Sequence, residues 1–487
     1  MHFKHFYDAD LAQGSYLIGC QASGEAIVVD PRRDVRRYLE EAEANGLTIK
    51  AVTETHVHAD YVSGARELAA AAGASLYLSG EGAPRQAGDL DWRYRFDHVA
   101  LQDGDAIRVG NVELTALHTP GHTPEHLSFL VIDGGLTDHP GYLLSGDFVF
   151  VGDVGRPDLL DEAAGGSGTR FAGARQLFAS LRDVFLRLPD YVQVWPGHGA
   201  GSACGKALGA VASTTVGYER VTAWWRDYLE RGDEDGFVAA LLDGQPDAPR
   251  YFGRMKRWNR QGPPLLGERA ALRAISADEV RERLGRDLHL LDTRPEAEQW
   301  RGAVPGALTV PGGKSFATYA SWVIDPERDD RDIVVLAPDG EAAERFRDRL
   351  AFVGIDRVAG YLPGLDGLEL APLPLTAADD LDGAYVLDVR TANEHAEGHV
   401  PGARQLHGGR VAWNLDGLPR DGRLVVHCQS GARSAVVAGL LRAEGFTNVS
   451  ELEGSYLGWL EHRRSADDPG ATPPTSRPQP GGTSHVR

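Results

Sequence analysis

Cysteine is scarce in this sequence. Three occur in 487 residues, Cys20, Cys204 and Cys428, far apart and odd in number; that excludes a disulfide-stapled secreted scaffold and suits a reducing compartment. Positive charge is also short, with 50 Lys+Arg against 70 Asp+Glu and a net charge of −20. A polyanion gains nothing from counterion release on nucleic acid and is repelled by anionic lipid, so no nucleic acid and no membrane surface is expected as a partner. Lysine itself is nearly absent, 5 against 45 arginines, a skew that fits a GC-rich genome before it marks any anion site. No apolar run approaches the roughly 18 residues of a membrane span. The start, MHFKHFYDADLAQGSY, has no basic stretch leading into an apolar one, so the cytoplasm is the expected location.

The composition that remains, 42% hydrophobic and 25% charged, is that of folded domains, and the length suggests about three. Short β-branched runs such as EAIVVD (25–30) and IKAVTETH (49–56) alternate with ARELAAAAG (65–73), an α/β pattern. The Pro- and Gly-rich stretch 243–267 is expected to end the first domain and serve as a linker. Beyond it lies a repeat. LLDTRPEAEQWRGAVPGAL (290–308) is echoed by VLDVRTANEHAEGHVPGAR (386–404), and DIVVLAPDGEAAERF (332–346) by RLVVHCQSGARSAVV (423–437). Two copies do not make a solenoid; they predict two homologous, doubly wound parallel domains of about 100 residues. The expected units are 1–260, 270–372 and 373–465, with a disordered Pro/Gly/Ser tail over 466–487.

Four polar placements at strand ends stand out in the first unit: His56, His58 and Asp60 in THVHAD, His122 in HTPGHTPEH, Asp147 in YLLSGDFVF, and His198 in VQVWPGHG. In this order and spacing they resemble the metallo-β-lactamase fold, an αββα sandwich whose strand-end loops hold one or two metals. Two-metal thioester hydrolases of the glyoxalase II type carry a further His after the motif Asp; here that residue is Tyr61, which removes a nitrogen ligand and favours one metal. Two His and one carboxylate form the facial triad of non-haem Fe(II) oxygenases. The resemblance is therefore to persulfide dioxygenases, and it implies one Fe(II) per chain held by His56, His122 and Asp147, with His58, Asp60, Tyr61 and His198 orienting ligands and water. GDVGRPDL (152–159) resembles that family's GRxD segment; Arg156 either steers an anionic persulfide or ion-pairs with Asp158 to hold the loop.

HCQSGARSA (427–435) follows the apolar strand RLVV and precedes a helical run. Such a loop aims successive backbone N–H groups at the Cys428 sulfur and stabilises a thiolate, with Arg433 adding positive charge. Four residues separate Cys428 from Arg433, fewer than in cysteine phosphatases. The loop resembles the rhodanese active site, and both repeat units resemble rhodanese domains. In the first copy Ala337 aligns with Cys428, and Asp339 and Glu341 replace the anion-friendly residues, so this copy is expected to be inactive. Cys204 in GHGAGSACGK is either a second persulfide carrier near the metal or a small buried side chain; Cys20 has no motif.

The fold expectation is α/β, an N-terminal αββα sandwich followed by two small doubly wound rhodanese domains. The function expectation is oxidation of a low-molecular-weight persulfide by O₂ to sulfite and thiol, coupled to sulfur transfer that forms or consumes thiosulfate, in a homo-oligomer. A zinc thioester hydrolase with sulfurtransferase modules, or a sulfur-relay protein, competes with it.

Overall fold

The structure, a computed structural model, describes residues 1–84, 91–159 and 169–467; most of the expected tail, 468–487, lies outside them. Two six-stranded sheets face each other. The first contains β1 (His2–Asp8), β2 (Gln13–Cys20), β3 (Glu25–Val29), β4 (Thr48–Thr53), β5 (Ser75–Ser79) and β6 (Val99–Leu101), in that spatial order. The second runs from β7 (Ala106–Val109) through β8 (Val112–His118), β9 (Leu127–Asp133), β10 (Tyr142–Gly146) and β11 (Gln193–Pro196) to β12 (Thr214–Thr215). Strand alternation sends Ile18, Ile27 and Ala51 into the inter-sheet core against Leu114, Phe129 and Leu144. The opposite faces, with Leu17, Val28 and Val52, pack on Tyr38 and Leu68 of the helices 36–44 and 65–72. With both faces covered, these strands are apolar runs rather than alternating ones. Helix Thr169–Asp183 covers the second sheet, completing the αββα sandwich.

Two five-stranded sheets follow. The first joins β13 (Arg273–Ala274), β14 (Leu288–Asp292), β15 (Leu308–Thr309), β16 (Asp332–Leu336) and β17 (Val358–Leu362) in the order β13-β17-β16-β14-β15. The second joins β18 (Leu375–Thr376), β19 (Tyr385–Asp388), β20 (Arg404–Gln405), β21 (Leu424–His427) and β22 (Val449–Leu452) in the order β18-β22-β21-β19-β20. Every pairing in both sheets is parallel. The sequence repeat is thus a repeat of topology, and its D-x-R element has a visible purpose. Arg294 forks onto Asp292 and donates to the Gly302 carbonyl (2.9 Å); Arg390 forks onto Asp388 and donates to the Gly398 carbonyl (2.7 Å). Each clamp closes the loop that follows the strand next to the short edge strand, β14 in one unit and β19 in the other.

The three regions share one core, in which Tyr61, Phe252, Phe316, Phe352 and Val436 belong to a single apolar cluster. The 243–267 stretch is more than the linker expected from its prolines. Phe252–Gln261 is a helix with Phe252, Met255 and Asn259 buried, because ten residues free of proline lie between the proline-rich ends and carry an apolar face. Asn259 donates to the carbonyls of His58 (2.9 Å) and Tyr61 (2.7 Å) and accepts from Ser63 N–H, so this helix is fastened to the 56–63 loop.

Candidate metal centre and cysteine loop

The strand polarity of the sandwich gathers four loops on one rim. β10 runs parallel to β11, and antiparallel to β9, which is antiparallel to β8; the loops after β8, β10 and β11 therefore open on the same edge, facing the loop after β4. On them lie His122, Asp147, His198 and His56. Ligand atoms of His56, His122 and Asp147 lie within 4.8 Å of one another, all buried. Asp147 Oδ2 is 3.7 Å from His56 Nε2 and 3.6 Å from His122 Nε2. Neither Asp147 Oδ2 nor His122 Nε2 has a hydrogen-bond partner. Buried polar atoms left this way are costly unless something binds them.

The surroundings prepare these atoms as ligands. Thr55 donates to Asp30 Oδ2 (2.8 Å), so its oxygen accepts from His56 Nδ1 (2.9 Å) and leaves Nε2 with a lone pair. His122 Nδ1 donates to the Arg156 carbonyl (2.9 Å), with the same result. Burial pushes both imidazoles well below their usual pKa, toward the neutral form a cation requires. The other carboxylate oxygen, Asp147 Oδ1, is held by His198 Nδ1 (2.7 Å), whose Nε2 reaches Asp60 Oδ2 (2.8 Å). Gly146, at φ +51°, turns the chain into Asp147; a Cβ there would meet Thr55 Oγ1 at 2.6 Å. The residues present fit a cation bound by two imidazoles and a carboxylate.

His58 does not join that triad. Its Nε2 lies between Glu54 Oε2 (2.7 Å) and Asp30 Oδ1 (3.2 Å); burial opposes its charge, but the two carboxylates outweigh burial and raise it to about 10. Tyr61 is buried, its ring 4.4 Å from His58 and 4.8 Å from Phe352 of the middle region. Cys204 is buried, and its sulfur groups with Asp60 and His198; burial pushes its thiol up to about 12. The Arg156 guanidinium is engaged by Asp158 and by the Ala203 carbonyl (3.0 Å), the loop-holding arrangement, and thereby ties the His122 loop to the Cys204 loop. Sequence spacing gave no sign of Asp30, Glu54 or Glu125. Asp30 follows a strand as Asp147 does.

At the other centre, Cys428 directly follows β21 and is 1% exposed. Gly431 N–H donates to its Sγ (3.1 Å), and the thiol lies 3.7 Å from Ser434 Oγ. Gly431 has φ +121° and sits under Trp300 of the first repeat, so a side chain there would meet both strain and the ring. The helix Ala432–Ala443 starts at once. Arg433 is taken up by a bidentate pair with Glu394, both contacts 2.7 Å, which sequence reading did not anticipate; its charge is shared with that carboxylate. In the first repeat Ala337 follows β16, and Asp339 caps the next helix by accepting from Ala342 N–H (2.8 Å). A side-chain carboxylate thus fills the helix N-terminus that lies open in the second repeat.

Residues 10–198 match the metallo-β-lactamase superfamily and residues 375–462 the rhodanese-like domain. A crystal structure of a metallo-β-lactamase from Staphylococcus aureus is similar at 38% identity and TM-score 0.63, over 74% of this chain and 98% of that one. The chain belongs to the metallo-β-lactamase superfamily. It joins a metallo-β-lactamase domain to a C-terminal rhodanese domain. Among curated relatives, a hydroxyacylglutathione hydrolase of Polaromonas is 34% identical over 185 residues, 38% of this chain and 61% of the relative; the match thus spans about three fifths of that hydrolase. An uncharacterised protein of Mycobacterium leprae is 31% identical over 234 residues, 42% of this chain and 89% of the relative. The candidate ligands His56, His122 and Asp147 and the cysteine Cys428 lie inside the matched segments.

Proposed function

We propose that the protein is an iron-dependent persulfide dioxygenase fused to a sulfurtransferase, acting on a low-molecular-weight persulfide: RSSH + O₂ + H₂O gives RSH and sulfite. The observation that carries this reading is the three-ligand set. His56, His122 and Asp147 offer ligand atoms, two of them unpartnered, while His58 is withdrawn into a charged pair and Tyr61 stands where a second-metal imidazole would be. Fe(II) held there would supply open positions for substrate and O₂ and the redox chemistry. Thr55 and the Arg156 carbonyl keep the imidazole lone pairs aimed; His198 keeps one carboxylate oxygen turned inward. Low-dielectric surroundings strengthen each of these contacts.

At the second centre Cys428 thiolate attacks the outer sulfur of thiosulfate, forming Cys428–S–S⁻ and releasing sulfite, or runs in reverse with sulfite made at the iron. Gly431 N–H and the open helix N-terminus stabilise the sulfur's negative charge. Residues 270–372 form an inactive rhodanese copy that packs against both centres, and fusion raises the local concentration of sulfite at Cys428. The test is metal content and oxygen uptake: iron near one per chain and persulfide-dependent uptake abolished in His122→Ala are expected, and zinc with no uptake would overturn the reading. One observation favours a second reading, a zinc thioester hydrolase: Asp60, His198 and Cys204 form another group of candidate ligands. Two zinc ions per chain and hydrolysis of a glutathione thioester would support it.

A further inference from the structure

Of the five lysines, four are exposed and one, Lys256, is buried, with 3% of its surface accessible. Its Nζ has no hydrogen-bond partner. An ammonium withdrawn from water without a hydrogen-bond partner costs several kcal/mol, a cost that the Trp92 ring and the Glu125 carboxylate offset in part and that a bound anion would offset further. Its surroundings locate it. Lys256 lies one turn before Asn259, which fastens the helix to the carbonyls of His58 and Tyr61. The ammonium sits 5.1 Å over the Trp92 ring, and Trp92 packs in one cluster with Val57, the residue between His56 and His58. The Val57 N–H is held by Glu125 Oε1 (2.8 Å), whose Oε2 is also buried and unpartnered. Lys256 thus lies behind the loop after β4, through Trp92, and its charge acts on His122 and Glu125 of the loop between β8 and β9 and on Cys204. Burial pulls it down to about 8, which leaves it mostly protonated at neutral pH. The unpartnered atoms nearest it, His122 Nε2 and Glu125 Oε2, can accept a cation or a proton; Lys256 supplies a buried positive charge without a hydrogen-bonded carboxylate, and Arg260 lies over the same Trp92 ring at 5.9 Å.

We propose that the Lys256 ammonium is an anion subsite of the metal pocket, holding the negatively charged sulfur group of substrate or product. This rests on the persulfide dioxygenase reading for the identity of the ligand. A compact ammonium on a flexible stem suits a small sulfur anion at a buried position better than a planar guanidinium fork does, and in a chain this rich in arginine the lysine is the exception.

Sulfite is the probe, titrated into the full-length, Fe(II)-loaded protein under anaerobic conditions. Lys256→Met keeps the stem and removes the charge; it is expected to weaken sulfite binding at least ten-fold at unchanged iron content and melting temperature and to raise KM for glutathione persulfide more than it lowers kcat, whereas Lys256→Arg, which keeps the charge but not the compact head, weakens binding less than Lys256→Met does. Equal sulfite affinity in the wild type and Lys256→Met, or no binding to the wild type, overturns the inference. A measurement on the wild type alone covers the case in which the variant does not fold. Acetic anhydride labelling read by mass spectrometry should show Lys256 slowed by sulfite while Lys4, Lys50, Lys206 and Lys314 react as before; no selective protection overturns it. Oxygen uptake separates the two claims. Lys256-dependent sulfite binding without any uptake removes the dioxygenase reading and leaves the subsite, whereas normal uptake with unchanged KM in Lys256→Met removes the subsite and leaves the dioxygenase.

Discussion

The two five-stranded units share strand order, parallel pairing and the Asp–Arg clamp after β14 and β19, yet they treat the end of the central strand, β16 or β21, in opposite ways. In one, Cys428 precedes a glycine at φ +121° and an open helix N-terminus. In the other, Ala337 precedes Asp339, whose carboxylate already satisfies that N-terminus. The comparison teaches that the scaffold and the cysteine centre are separable: the clamp and the buried strands make the fold, and an uncapped helix N-terminus with the Gly431 N–H on the cysteine sulfur sets one unit apart. It also shows a division of labour, since the unit without a cysteine contributes Phe352 to the stack on Tyr61, and Trp300 to the roof over Gly431.

The strongest test of this contrast is Cys428→Ser, expected to lower thiosulfate-dependent sulfur transfer by about three orders of magnitude or more, as loss of a nucleophile does, while oxygen uptake continues. Ala337→Cys in that background should restore nothing in the same assay, because Asp339 repels a neighbouring thiolate; recovered transfer would break the comparison. Next in size is Phe352→Ala. Its buried ring touches Tyr61, and its loss should cost about 3–5 kcal/mol in denaturant unfolding and weaken cobalt binding at the triad, followed by visible absorption, while transfer at Cys428 is retained. Asp339→Ala removes a helix cap and should cost about 1 kcal/mol, read as a shift in the urea midpoint.

The smallest effect concerns a pair that exists in only one unit. Burial would raise the Glu394 carboxyl, but Arg433 outweighs it and brings it down to about 2. A folded-state value below the unfolded one, about 4.3, means that the pair's stabilisation is present above pH 4.3 and is lost as pH falls towards 2. Urea midpoints between pH 5 and 2.5 should therefore fall more steeply for the wild type than for Glu394→Gln, and parallel slopes would remove this pair from the account.

Much of this was legible along the chain. Strand-end residues are fixed by local spacing, so His56, His122, Asp147 and His198 converge wherever the four strands line up, and the repeat announced its topology through two copies of one motif. The helix 252–261 was hidden because prolines on either side dominate the composition of that window. Glu394 was hidden because it pairs across 39 positions with Arg433, and Phe352 because it meets Tyr61 across nearly three hundred.

The sequence by itself determined the α/β alternation, the repeated unit and the polar residues at strand ends, since spacing and periodicity are short-range properties, and the sandwich followed from the resemblance those motifs carry. Only the tertiary structure decided what each offered charge does. His58 is locked between Asp30 and Glu54, Arg156 and Arg433 are taken up by carboxylates, and Lys256 is left without one. Charge pairing depends on through-space distance and burial, and neither is written in the spacing of residues along the chain.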